Sequence, residues 1–488
     1  MIPSSVGFSR RRFVAAASAL VAASAWPARA QSPAVDGVDA VGLALAVEKR
    51  KVTALELVNT AIARLEAANP SINAVTSTCF DLAREAAAKA SGSMGGVPTL
   101  IKDNRPQIGQ VYTQGSRAYR HRIADETSAE MEAIERSGFI SIGRTTLPEF
   151  GLSPTTEAQL SGPTRNPWNL SRSVGGSSGG SAAVVAAGVV PVAYGNDGAG
   201  SIRIPAAACG LVGLKHTRRP PTSGPTQIRA LSVNSCLSRT VRDTAAWIAA
   251  VSGTEPTRPA ATGPLRIRTN IQPPAGGDVD PAVATAFDLT VKVLEKLGHR
   301  VERQLLPYDG PAFVEAFMRR YEAGAATSVT EFETRAGRSA TEADLEPYTL
   351  GLARRGVNYA ADQMERDEAT IRGARETFLD AFPGGEIYMT PVLASTAVPI
   401  GQFGPLVEYE AQRSDLITYA TFSWIHSAAG APSISLPVGQ GPDGMPIGLQ
   451  FGASPGREDL LLQLAYDLER ELDWASRRPP LWVGGLSA

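Results

Sequence analysis

Histidine, cysteine and long apolar stretches are all scarce in this chain, and each scarcity removes a class of function. The four histidines, His121, His216, His299 and His426, form no His-Glu-x-x-His pattern, and no Cys-x-x-Cys is present. No metal site is expected, because zinc needs three or four such ligands at close spacing. The three cysteines, Cys79, Cys209 and Cys236, are odd in number and irregularly spaced. They build no disulfide framework and read as buried thiols. Past the first thirty residues no apolar run approaches the roughly 20 residues of a membrane helix. Lys and Arg total 47 against 48 Asp and Glu, which leaves no basic footprint for nucleic acid. The glycine-rich stretches are never followed by Gly-Lys-Ser or Gly-Lys-Thr, so a phosphate cradle is excluded.

What is present is an ordinary globular composition, 43% hydrophobic over 488 residues, enough for a large core. Residues 1–30 read as a separate segment. Ser9-Arg-Arg-Arg-Phe-Val14 is a twin-arginine pattern, Phe13 to Trp26 is an apolar run, and Ala28-Arg29-Ala30 is a cleavage site. That order is a signal peptide for folded export by the Tat machinery, which predicts a periplasmic or secreted protein beginning near Gln31. Its removal takes four arginines and no acid, moving the formal charge from −1 to −5.

Residues 31–37 read as a flexible lead-in and 38–480 as one domain. Thr53-Ala-Leu-Glu56 is a capping box opening a helix with Leu57, Ala61 and Leu65 on one face. A second helix is expected over 81–90. Val97–Ile101 reads as a buried strand delivering Lys102 at its end. A helix over 127–136 and a strand over 139–143 follow. The Gly-, Ala- and Ser-rich stretch 173–217 is too dense in alanine and valine for a solvated linker; it predicts a helix over 181–187 and a strand over 189–194. Residues 253–264 are the best linker. Asp280 and Pro281 open a helix carrying Val283, Phe287, Leu294 and Leu297, stopped by Gly298, with a strand over 299–306 next. Residues 310–380 read as helices with exposed faces, and Leu461, Leu464, Ala465, Leu468 and Leu472 form a late helical stripe. This helix–strand alternation points to the α/β class.

Three short segments carry the chemistry: Gly96-Val-Pro-Thr-Leu-Ile-Lys102-Asp-Asn, Gly175-Gly-Ser177-Ser-Gly-Gly-Ser181 and Asn196-Asp-Gly-Ala-Gly-Ser201-Ile-Arg-Ile-Pro205. In this order, with 75 positions from Lys102 to Ser177 and 24 from Ser177 to Ser201, they closely resemble the amidase signature family. Pro163-Thr-Arg-Asn-Pro-Trp168, Asn196-Asp-Gly and Pro446-Ile-Gly-Leu-Gln450 look most like bacterial amidases of small amides, among them hydrolases of cyclic 6-aminohexanoate dimers.

The resemblance implies a single α/β domain in which a large mixed β-sheet lies between helical layers. It implies a helical cover over 310–380 that varies with substrate, and cleavage of a carbon–nitrogen bond of a small-molecule amide with no cofactor. Ser201 would be the nucleophile, Ser177 the proton relay after a cis Gly176–Ser177 bond, and Lys102 the base. The backbone N–H groups of Gly198, Ala199, Gly200 and Ser201 would form the oxyanion hole. Ser178, Asp197 and Arg203 would support these groups. Ala199 and Asn196 stand where relatives often have glycine and threonine, and His216 where they usually have proline.

Each residue also has a plainer reading. Ser201 could be a serine in a glycine turn, Ser177 and Ser178 helix caps, and Lys102 a surface lysine paired with Asp103. As a base Lys102 must be neutral, which needs burial, since free lysine titrates near about 10.4 and a useful base near about 7–8. His216 reads as a solvated or core histidine, or as a pocket wall. Carbamates and esters, a non-catalytic periplasmic binding protein, and an amidotransferase subunit stay open as alternatives.

Overall fold

The N-terminal half is built by locally encoded helices laid against short strands, several of them largely buried. In the computed structural model, residues 37–218, 228–257, 259 and 263–486 are described. The expected signal peptide at 1–30 and all of the lead-in but Gly37 lie outside them. The capping box forms as expected: Glu56 N–H donates to Thr53 Oγ1 at 3.2 Å and Thr53 N–H to the Glu56 carboxylate at 2.8 Å. It starts the helix Ala54–Ile72, whose Leu57, Ala61 and Leu65 are buried. Strand β1 (Val75–Thr78) and the helix Phe80–Ala87 follow, the helix ending short of the expected Ala90. Strand β2 (Pro98–Lys102) is buried along its whole length. Ser128 caps the helix Ala129–Ser137, Gly138 in the left-handed region ends it, and β3 (Ile140–Thr145) returns.

Small residues let the signature segment enter the interior. After the two-stranded ribbon β4 (Arg165–Asn166) and β5 (Asn169–Ser173), the helix Gly179–Ala186 is buried on every side. It leads to β6 (Val192–Asp197), the helix Arg203–Cys209 and β7 (Val212–Lys215). Strands β8 (Val233–Ser238), β9 (Arg266–Thr269), β10 (Arg300–Arg303), β11 (Glu386–Pro391), β12 (Ser433–Gln440) and β13 (Pro446–Gly452) complete the set.

Eleven strands form one mixed sheet in the order β1-β3-β2-β6-β8-β7-β12-β13-β11-β9-β10. Strand β1 pairs antiparallel with β3 at one edge; β3, β2 and β6 run parallel beside it and β11, β9 and β10 run parallel at the other edge, with antiparallel pairs between. Central strands bury both faces, as a helix-covered sheet requires. Leu100 and Ala193 pack with the helix Ala54–Ile72, whereas Ile101, Val192 and Tyr194 pack on the opposite side with Met131 and Trp247. The same alternation recurs in β11, where Tyr388 joins the core of the helical cover and Ile387 and Met389 join Phe287 and Leu461.

The second half follows its end signals. Asp280 caps the helix Pro281–Lys296, and its side chain accepts from Ala282 N–H at 2.7 Å. The strand expected over 299–306 is only β10, because this is the sheet edge and nothing pairs its far side. Described residues of 253–264 form no helix or strand. The region 310–380 forms the helices Gly310–Ala336, Pro347–Gly356 and Ala361–Ala381. The late stripe forms the helix Glu458–Leu472. No helix among the described residues is long and apolar enough to cross a membrane.

Candidate active site

Parallel strands β2 and β6 are neighbours, and the residues at and just past their C-terminal ends meet. Lys102, the last residue of β2, is fully buried. Its Nζ lies 2.7 Å from Ser177 Oγ, 3.1 Å from Ser178 Oγ and 2.8 Å from Asn196 Oδ1. Ser177 Oγ lies in turn 2.9 Å from Ser201 Oγ. Lysine and two serines therefore form one continuous hydrogen-bonded chain. Burial is the main cause that drives the Lys102 pKa far below its ordinary value; the nearby Arg105 adds to it and Asp197 opposes it.

The plainer readings of Lys102 and of Ser178 do not hold in the fold. Lys102 is not paired with Asp103, whose carboxylate instead accepts the hydroxyl and N–H of Thr113. Burial pushes that carboxyl up to about 6 against those hydrogen bonds. Ser178 stands at the cap position of Gly179–Ala186, yet its side chain makes no capping bond. Its hydroxyl instead lies 3.3 Å from the Asn196 carbonyl. The Gly176–Ser177 bond is cis, as the resemblance implied.

The loop 198–202 hangs on one buried ion pair. Arg203 Nε and Nη2 donate to the two oxygens of Asp197 at 2.8 Å each, and both side chains are wholly buried. Burial alone would raise the Asp197 pKa, but the guanidinium and the N–H groups aimed at the carboxylate hold it well below the usual range. Arg203 also reaches the Ser423 carbonyl at 2.8 Å and Ser427 Oγ at 2.9 Å, which ties the loop to distant chain.

One expectation needs correction. Gly200 N–H does not face the space beside Ser201; it donates to Asp197 Oδ1 at 2.7 Å. A buried carboxylate outcompetes a transient ligand for that donor, since charge-assisted bonds are the strong ones. Gly200 has a different task. Its φ is +123°, and a Cβ there would stand 2.5 Å from Ser423 Oγ. Of the four N–H groups expected in the oxyanion hole, those of Gly198, Ala199 and Ser201 are left.

Ser201 opens into a recess walled by Leu152, Ile204, Met318, Tyr321, Tyr348 and Trp424. Its lining contains no Asp, Glu, Lys or Arg. A roomier cleft of about 620 Å³ lies between the helices Ala40–Glu48 and Val241–Ser252, but no Lys, His or Cys lines it. Chemistry, not size, locates the site. Apart from Ile204, the named recess walls come from residues that no motif marks, and Met318, Tyr321 and Tyr348 belong to the expected helical cover.

His216 is no part of this wall: its ring nitrogens meet the carbonyls of Thr217 and Asn234 at 2.9 and 3.1 Å. The three cysteines are unpaired thiols; Cys209 and Cys236 are buried and Cys79 is half-buried. No cluster of three or more metal-ligating side chains occurs among the described residues.

Such a fold is that of an amide hydrolase. The chain belongs to the Amidase family, which it matches over residues 56–462. It is 38% identical to amidase AmiC of Mycobacterium tuberculosis over 463 residues, 92% of this chain and 97% of that protein. It is 35% identical to the 6-aminohexanoate-cyclic-dimer hydrolase of Paenarthrobacter ureafaciens over 91% of this chain and 96% of that one. The structure of 6-aminohexanoate cyclic dimer hydrolase with substrate superposes with a TM-score of 0.83 at 33% identity, covering 92% of this chain and 99% of that one. The subfamily likeness read from the sequence is therefore borne out, and the enzyme hydrolyses amide carbon–nitrogen bonds.

Proposed function

We propose that Ser201 attacks the amide carbonyl while its proton passes to Ser177 Oγ and the Ser177 proton passes to neutral Lys102 Nζ. The new carbon–oxygen bond turns the carbonyl into an oxyanion facing the N–H groups of Gly198, Ala199 and Ser201. The carbon–nitrogen bond then breaks, the amine leaves with the proton relayed back from Lys102, and water hydrolyses the acyl-enzyme. The observation that carries this reading is the Lys102–Ser177–Ser201 chain of 2.7 and 2.9 Å around a fully buried lysine.

The substrate proposed is a neutral amide with an apolar acyl part. An unpaired charge placed in the recess would lose its water and find no counter-ion there. Amides with alkyl or aryl acyl groups should exceed equally sized ones bearing a carboxylate or ammonium by at least about 10²-fold in kcat/KM, on the scale of several kcal/mol for an uncompensated ion. Charged acyl groups reacting equally well would overturn this choice.

The same assay across pH reads the base. Only neutral Lys102 accepts a proton, and its pKa is lowered in the fold. The rate should therefore climb as pH rises through that lowered value and level off well below about 10.4, where free lysine titrates. A rate that keeps climbing to that ordinary value would count against a buried neutral base.

We also infer that the protein is exported by the twin-arginine route, supported by the order of Arg10-Arg11, apolar run and Ala28-Arg29-Ala30. Replacing Arg10 and Arg11 with lysine should leave uncleaved precursor in the cytoplasm, read by fractionation and immunoblot. Undiminished export would refute the assignment.

A further inference from the structure

The structure assigns Asn196 as the positioning residue that aims the lone pair of Lys102 at Ser177, an inference that rests on the proton relay proposed above. A neutral amine has two N–H bonds and one lone pair, and Lys102 Nζ has three partners: Ser177 Oγ, Ser178 Oγ and Asn196 Oδ1. A hydroxyl can give or take a hydrogen bond, so geometry alone leaves open which partner meets the lone pair. The surrounding polarity removes that freedom.

Asn196 Oδ1 can only accept. It meets Asn104 Nδ2, which donates to the same oxygen at 2.9 Å, and Asn196 Nδ2 on the other side donates to Ser232 Oγ at 2.9 Å. Turning the Asn104 amide over would bring two carbonyl oxygens together, even though Asn104 Oδ1 is otherwise without a partner. Ser178 Oγ spends its hydrogen on the Asn196 carbonyl at 3.3 Å and so accepts from Nζ. Both N–H bonds of the amine thus have acceptors that are not Ser177. The lone pair is left to the Ser177 hydroxyl, whose oxygen lies 2.9 Å from Ser201 Oγ. Asn196 holds Lys102 from its side chain and Ser178 from its backbone carbonyl, so one residue fixes both N–H directions.

The charged groups around Lys102 do not provide this orientation. Asp103 is turned to Thr113, and Asp197 is bound to Arg203. Arg105 donates to Asn234 Oδ1 at 2.8 Å, and Arg144 of β3 to Gln107 Oε1 at 2.6 Å. Asn196 is uncharged, so it orients the amine without fixing a proton on it, as a carboxylate there would.

Two measurements on the full-length mature enzyme test the assignment: acylation of Ser201 by a fluorophosphonate across pH, and titration of Lys102 by NMR on protein carrying labelled lysine. Asn196→Asp should raise the proton affinity of Lys102 about 10- to 1000-fold and move the acid limb of acylation to higher pH by the same factor. Asn196→Leu should slow acylation about 10²-fold on the plateau, the scale of a misplaced catalytic group. Asn196→Thr keeps an oxygen acceptor and should restore most of the rate, which separates orientation from a folding defect. An unmoved Lys102 titration in Asn196→Asp, or parental acylation in a folded Asn196→Leu, overturns the inference. If even the parent is not acylated, the nucleophile assignment fails, while the Lys102 titration still decides on Asn196.

Discussion

Replacing Ser201 with alanine should lower kcat by about 10⁶-fold, the scale on which a serine hydrolase loses its nucleophile. The remaining groups of the relay stay in place, because Lys102 is still held by Ser177, Ser178 and Asn196. Stability should change little, since a single hydrogen bond to Ser177 is lost and such a bond contributes only about 0.5–1.5 kcal/mol. Mass spectrometry after fluorophosphonate treatment checks this directly. The parent should carry one adduct on Ser201 and the variant none, with matching unfolding curves. An adduct on another serine, or substantial turnover by the variant, would move the nucleophile elsewhere.

The second large effect is on stability, and Arg203 is its origin. Arg203→Met removes both guanidinium contacts to Asp197 while keeping an apolar stem of similar reach. The carboxylate is then left wholly buried without its counter-ion, at a cost of about 3–5 kcal/mol. The pH dependence has a definite sign. In the parent the Asp197 pKa is held down in the fold, so the stabilisation is present above the unfolded value of about 3.9 and is lost only as pH falls through the lower folded value. In the variant burial raises that pKa, and acid neutralises the stranded charge. The deficit in chemical denaturation should therefore be largest near neutral pH and shrink as the pH approaches about 4. A deficit that ignores pH would mean that lost packing, not lost charge, is responsible. Activity should fall as well, because Asp197 anchors Gly200 and with it the turn that carries Ser201.

Much of the site could be read along the chain because its devices are local. The capping box at Thr53, the Asp280–Pro281 helix start and the left-handed glycines each satisfy hydrogen bonds within a few residues of themselves. Lys102 at the end of an apolar strand, and serines set among small residues, are local patterns as well. Where the reading stopped, the partner was remote or two local acceptors competed. Gly200 is the clearest case: glycine at this turn suggested an open donor, whereas its N–H answers to Asp197 three residues back. Ser423, which no motif marks, donates its hydroxyl to the Ala199 carbonyl across 224 positions at 2.7 Å.

By itself the sequence determined the α/β class, the identity and order of Lys102, Ser177 and Ser201, and the small residues that let a chain turn tightly around them. Those follow from short-range sterics and from the chemistry that amide cleavage demands. Only the tertiary structure decided how the pieces meet. Sheet order sets β2 beside β6, which buries Lys102 and aims it at two serines. Helices more than a hundred residues further on wall the recess with apolar side chains. Burial and lone-pair direction arise from neighbours that are distant in the chain, so they take their values only when the sheet is assembled.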